Sequence, residues 1–105
     1  MAHKFMSVVV GAVALVSVAA MAGDGEKLYK KKLCQTCHGE AGREPILDTY
    51  PKLAGQNAKY LYNQMKDIKS GKRKNGLSSA MKPMVANVSK EEMKAIAKYL
   101  AAVEP

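Results

Sequence analysis

The chain has 105 residues, with 17 Lys and Arg against nine Asp and Glu, and carries a net charge of +8 at pH 7. It has two cysteines and two histidines; one histidine, His3, lies ahead of the apolar N-terminal run, which leaves three ligands together, one short of a structural zinc site of the usual Cys/His kind. The basic balance favours acidic partners, and no nucleic-acid-binding motif accompanies it.

The first stretch reads as a targeting segment. Lys4 precedes an apolar run from Val8 to Val18, and Ala20-Met21-Ala22 supplies the small residues of a cleavage site, so residues 1–22 are expected to be a signal peptide removed before Gly23. The alternative is an uncleaved N-terminal anchor. The run is short for a membrane span, and no positive cluster follows it to stop transfer. Without Lys4, sixteen basic residues still face nine acidic ones.

The mature chain, residues 23–105, reads as one small domain that needs a staple beyond its own core. Gly25 to Leu33 is predicted as a helix opening at Asp24 as N-cap, with Lys30, Lys31 and Lys32 complementing its C-terminal dipole. Cys34-Gln35-Thr36-Cys37-His38 follows. Two thiols three apart, with an imidazole next, form the attachment signature of a c-type haem. Each thiol closes a thioether to a vinyl group, and His38 ligates the iron as proximal ligand. A dithiol redox pair would need an alternating α/β pattern that this chain lacks. A disulfide between residues three apart would close too small a ring to be useful.

Gly39 to Pro51 shows only turn formers. Asn57 is a plausible N-cap for a helix over Ala58 to Ser70, with Leu61, Met65 and Ile68 on one stripe and Gly71 ending it. Met65 belongs to the core of that stripe. Lys72 to Ser79 reads as an exposed basic loop. Met81 and Met84 then lie in a loop stiffened by Pro83, and either thioether suits a sixth iron ligand that favours the ferrous state. The last helix is the best marked. Ser89 and Glu92 form a capping box, and Met93, Ile96, Ala97 and Leu100 make its apolar stripe.

Those motifs, with Tyr50-Pro51-Lys52-Leu53-Ala54-Gly55-Gln56 before Tyr60-Leu61, resemble a small monohaem class I cytochrome c, similar to one half of the bacterial dihaem cytochromes c. The resemblance spans nearly all of Gly23 to Leu100. It implies an all-α fold of three main helices wrapped around one covalently bound haem c. Gly25 and Tyr29 of the first helix would cross Ile96 and Tyr99 of the last. By the same resemblance Cys34 and Cys37 bind the haem, His38 and Met81 are the axial ligands of the iron, and the Pro51 carbonyl accepts the imidazole proton. Met81 is favoured over Met84 by its distance before Ser89.

The expected function is that of a periplasmic electron carrier, not an enzyme, moving single electrons between respiratory redox partners. Its partners would be redox proteins with acidic docking surfaces (an oxidase, reductase or dehydrogenase), with membrane contact only through partner complexes. Lys31, Lys32, Lys52, Lys72, Arg73 and Lys82 are the candidate docking charges. The rival readings are a haem enzyme or gas sensor with an open sixth position, and a subunit that carries electrons only inside a larger complex.

Overall fold

Apolar spacing and caps decide where this chain turns helical. The computed structural model describes residues 24–105; the expected signal peptide lies outside the described residues. Helix α1 runs over 24–31, followed by α2 at Gln35–His38, α3 at Ala58–Ser70, α4 at Ser78–Val85 and α5 at Lys90–Ala102, with a 3-10 turn at Glu40–Gly42. Among the described residues there is no strand. None of their helices is long and apolar enough to cross a membrane.

α3 and α5 have the expected boundaries for the expected reasons. Asn57 Oδ1 accepts the Tyr60 N–H at 3.0 Å, and Gly71 closes α3 in the left-handed conformation with its N–H on the Ile68 carbonyl. Leu61, Met65 and Ile68 are the buried residues of α3. Each contributes about 1.5–3 kcal/mol relative to exposure. In α5, Ser89 Oγ accepts the Glu92 N–H at 3.1 Å and the Glu92 carboxylate accepts the Ser89 N–H at 2.9 Å. Met93, Ile96, Ala97 and Leu100 face the core.

α1 crosses α5 where Gly25 leaves no room for a side chain. A Cβ there would overlap the Ala95 carbonyl oxygen and fall 2.6 Å from Tyr99 Cβ. Tyr29 is 1% exposed and its ring meets that of Tyr99 at 5.8 Å. α1, α3 and α5 thus form the frame that the resemblance implies, with α4 as a fourth helix beside them.

Three expectations need correction. Asp24 lies within α1 rather than capping it. The helix stops at residue 31, earlier than expected, because the chain closes a Schellman turn: Cys34 N–H reaches the Tyr29 carbonyl and Leu33 N–H the Lys30 carbonyl. That turn puts Leu33 at φ 63°, a left-handed position usually given to glycine. Finally, the methionines sit on a helix, not in a loop. Ser78, Met81 and Val85 fall on one face of α4 and turn it into an amphipathic element. Pro83 only removes the donor that would have met the Ser79 carbonyl. Ser78 and Ser79 therefore leave the expected exposed loop, and Ser78 is buried.

The linker after α4 is held from two sides. Lys69 Nζ of α3 donates to the Val88 carbonyl at 2.8 Å, and Lys32 Nζ to the Asn87 carbonyl at 3.1 Å. Lys32 also pairs with Glu92 at 3.8 Å.

The capping box gives a pH-dependent prediction. The hydrogen bond from Ser89 N–H, helped by Lys32, holds the Glu92 carboxyl below its usual range. A lowered folded pKa contributes stability above the unfolded value of 4.5 that is lost as pH falls through the folded one. Ser89→Ala should cost about 1 kcal/mol at pH 7, a fall in Tm of about 4–8 °C. The stability difference between Glu92→Gln and the parent, measured by denaturant titration, should be present at pH 7 and shrink progressively as pH falls below 4.5.

Candidate cofactor site

The site begins with the Schellman turn, which aims residues 34–38 back across the end of α1. Thr36 Oγ1 donates to the Leu33 carbonyl at 2.6 Å, and the His38 N–H to the Cys34 carbonyl at 3.0 Å. The pentapeptide is thereby wound into α2, with His38 buried at its end. Cys34 and Cys37 are separate thiols, both half-buried. Burial pushes the Cys34 thiol up to about 11.

The segment opposite His38 is pinned by its backbone. The Gly42 carbonyl accepts the N–H groups of Leu53 at 2.9 Å and Ala54 at 3.1 Å, and Gly55 N–H reaches the Leu100 carbonyl at 2.9 Å. This fixes Pro51, whose carbonyl lies 3.0 Å from His38 Nδ1. A carbonyl only accepts, so Nδ1 carries the proton and Nε2 presents its lone pair. Burial lowers the imidazole pKa below the usual 6.5, and the bond to Pro51 opposes that shift. The ring stays neutral at pH 7, as a metal ligand must be.

A cavity of about 290 Å³ opens between α2 and α4. Cys34, Cys37, His38 and Pro51 line one part of it, and Met81, Met84 and Val85 belong to its lining from α4. A smaller space of about 50 Å³ adjoins it and shares Cys34, His38, Pro51 and Met81. All five predicted site residues therefore border one space. The two methionines differ. Met81 lines both cavities and packs against the core, whereas Met84 lines only the larger one and is 38% exposed.

The candidate docking charges divide. Lys31, Lys52, Lys72 and Lys82 are exposed. Lys32 is occupied with Asn87 and Glu92, and Arg73 turns inward to line both cavities. Sequence reasoning also missed Ser78, Leu33, Thr49 and Tyr50 as lining residues. The recurrence of residues 78, 81 and 85 at helical spacing was the available signal for Ser78.

The donor set fits a c-type haem. One imidazole nitrogen, two free thiols three residues apart and a thioether border an apolar space, and nothing in it would repel a porphyrin. A family model for cytochrome c matches residues 22–104. Cytochrome c4 of Pseudomonas aeruginosa is 40% identical over 88 residues, covering 83% of this chain and 42% of its own. A thiosulfate dehydrogenase electron acceptor of Stutzerimonas stutzeri is 38% identical over 96 residues, covering 85% and 43%. Cytochrome c-554(548) of Halomonas halodenitrificans is 38% identical over 71 residues, covering 68% and 84%. The reduced cytochrome c4 crystal structure from Pseudomonas stutzeri superposes with a TM-score of 0.71 at 31% identity, covering 82% of this chain and 50% of that one. The chain spans half or less of the length of the cytochrome c4 proteins it matches.

Tyr29 ties this site to α1. Its hydroxyl donates to the Gly39 carbonyl at 2.6 Å, next to His38, and burial raises the phenol pKa well above its ordinary value. Tyr29→Phe should cost about 1–3 kcal/mol, because a part-buried carbonyl loses its donor. Urea unfolding of the variant measures the loss.

Proposed function

Because the chain belongs to the cytochrome c family, we propose that it is an exported one-electron carrier whose haem c is attached through Cys34 and Cys37. The haem supplies the redox chemistry, one electron exchanged between ferric and ferrous iron without bond making. The residues of this chain hold, orient and shield it. His38 would hold the iron through Nε2, its tautomer fixed by the Pro51 carbonyl. Met81 offers the other ligand. Its burial against the core supports this choice over Met84, since a ligand that must stay bound in both oxidation states needs a packed side chain. The buried stripe of α3 and the apolar face of α4 keep water from the metal.

The observation that carries this reading is the convergence of His38 and Met81 on one apolar cavity beside the two thiols. It favours a carrier over a gas sensor or haem enzyme, since two protein donors, His38 and Met81, would be available to hold the iron. Carriers of this family generally catalyse no reaction of their own. Export is part of the proposal: cleavage before Gly23 delivers the chain to the periplasm. The uncleaved anchor is the alternative. The partners are redox proteins, and the relative named as an electron acceptor for a thiosulfate dehydrogenase supports a dehydrogenase as donor class. The exposed Lys31, Lys52, Lys72 and Lys82 suit an acidic docking face.

Intact mass of the exported protein should equal residues 23–105 plus one haem. Met81→Ala should abolish the weak near-infrared sulfur-to-iron band of the ferric protein, and Met84→Ala should leave it. The reverse result would transfer the ligand role to Met84. The second-order rate of reduction by an acidic donor should fall by about tenfold or more from low to physiological salt; a flat profile rules out the basic docking face.

A further inference from the structure

The segment that presents Pro51 is neither helix nor strand over residues 43–57, so its position has to be imposed from elsewhere. The Gly42 carbonyl closes it into a loop by accepting the Leu53 and Ala54 N–H groups. Ile46 N–H, on the Cys37 carbonyl at 3.0 Å, ties the far side of that loop to α2. Pro51 itself is left to be placed from the closing side, where the anchors come from the end of α5 and the residues after it. The Leu100 carbonyl accepts the Gly55 N–H at 2.9 Å and the Val103 N–H at 3.2 Å. Arg43 Nε donates to the Glu104 carbonyl at 3.1 Å. Pro105 lies against Gly55, where an added Cβ would fall 2.6 Å from Pro105 Cγ.

Residues 103–105 therefore grip both ends of the loop, through Arg43 beside Gly42 at one end and Gly55 at the other. Val103 is extended and ends α5, which frees the two residues after it to reach these points. Gly55 lies at φ 78°, and the approach of Pro105 leaves no space for a side chain there. The tie from Arg43 goes to a backbone carbonyl, so it does not depend on the Glu104 carboxylate. Arg43, Gly55 and residues 103–105 border neither cavity. Whatever they do for the site passes through the backbone of the loop.

We infer that Arg43 and residues 103–105 are positioning residues for His38: they clamp the loop that carries the Pro51 carbonyl against Nδ1, and so set how strongly the imidazole donates to the iron. The inference rests on the haem reading of the cavity. A carbonyl held at hydrogen-bond distance draws on the Nδ1 proton and makes Nε2 a better donor. A better donor favours the ferric state, and a carbonyl free to withdraw shifts the balance toward the ferrous one. Ordering so irregular a loop costs entropy that its own few bonds do not offset, which is why contacts from outside it decide how long Pro51 stays in place.

The test compares holoprotein of the parent with a chain ending at Ala102 and with R43Q, R43K and E104Q. Exchange of the His38 Nδ1–H with deuterated water is followed by NMR in the reduced state, and the near-infrared band of the ferric state confirms unchanged ligation. Exchange should quicken about fivefold or more in the shortened chain and in R43Q, the factor that one ordinary hydrogen bond contributes to an opening equilibrium. R43K should recover part of the loss, since its ammonium can still donate to a carbonyl. E104Q should match the parent, because it keeps the carbonyl and removes only the charge. The midpoint potential of the shortened chain should lie above those of the parent and E104Q. Parent-like Nδ1–H exchange in the shortened chain and R43Q overturns the inference and leaves the haem reading intact. An equal quickening of the buried amides of α3 also overturns it, since that marks a general loss of stability. If the shortened chain yields no holoprotein, R43Q decides alone. A parent protein without covalent haem overturns both readings.

Discussion

One hydrogen bond governs the rest of this molecule: the Nδ1–H of His38 on the carbonyl of Pro51. It joins two segments that have no secondary structure in common, and it decides which imidazole nitrogen is free. Each partner is held by its own backbone network. His38 is wound into α2 from the Schellman turn, and Pro51 is fixed by the turn that Gly42 and Leu100 secure. Neither arrangement would survive alone in so short a chain, because each loop would be free to move without the other.

From that constraint the fold follows as a problem of enclosure. α1 and α5 meet at Gly25, where backbone contact replaces side chains and brings Tyr29 within reach of Gly39. α3 supplies the apolar floor, and α4 closes the opposite wall with Met81. The core is small, and its side chains leave a cavity that the protein alone does not fill. A covalently attached porphyrin completes this core as well as giving the protein its redox function.

Much of this was legible from residue order. The pentapeptide, the Asn57 and Ser89 caps, Gly71 and the apolar stripes of α3 and α5 each have a local cause, and each appears where that cause puts it. The site residues named from the motifs all border one cavity. Two misreadings share an origin, in which a strong local signal masked a tertiary one. Pro83 argued for a loop, but the burial of Ser78, Met81 and Val85 on one face outweighs a single missing hydrogen bond. The basic run at residues 72–74 argued for solvent, and only the fold shows that its middle member turns inward. Leu33 could not be foreseen in a left-handed conformation, since nothing in its own chemistry favours that position.

The two lysines that reach the linker behind α4 deserve a last consequence. Lys32 comes from the end of α1 and Lys69 from α3, and they bind consecutive carbonyls at Asn87 and Val88. The helix bearing Met81 is therefore moored at its carboxyl end to two other helices. Its amino end depends on the short turn through Arg73 and Asn75. The wall is thus held in two unlike ways: by side chains of other segments at one end, and at the other by the backbone of its own turn, the Ser78 N–H on the Asn75 carbonyl at 3.1 Å.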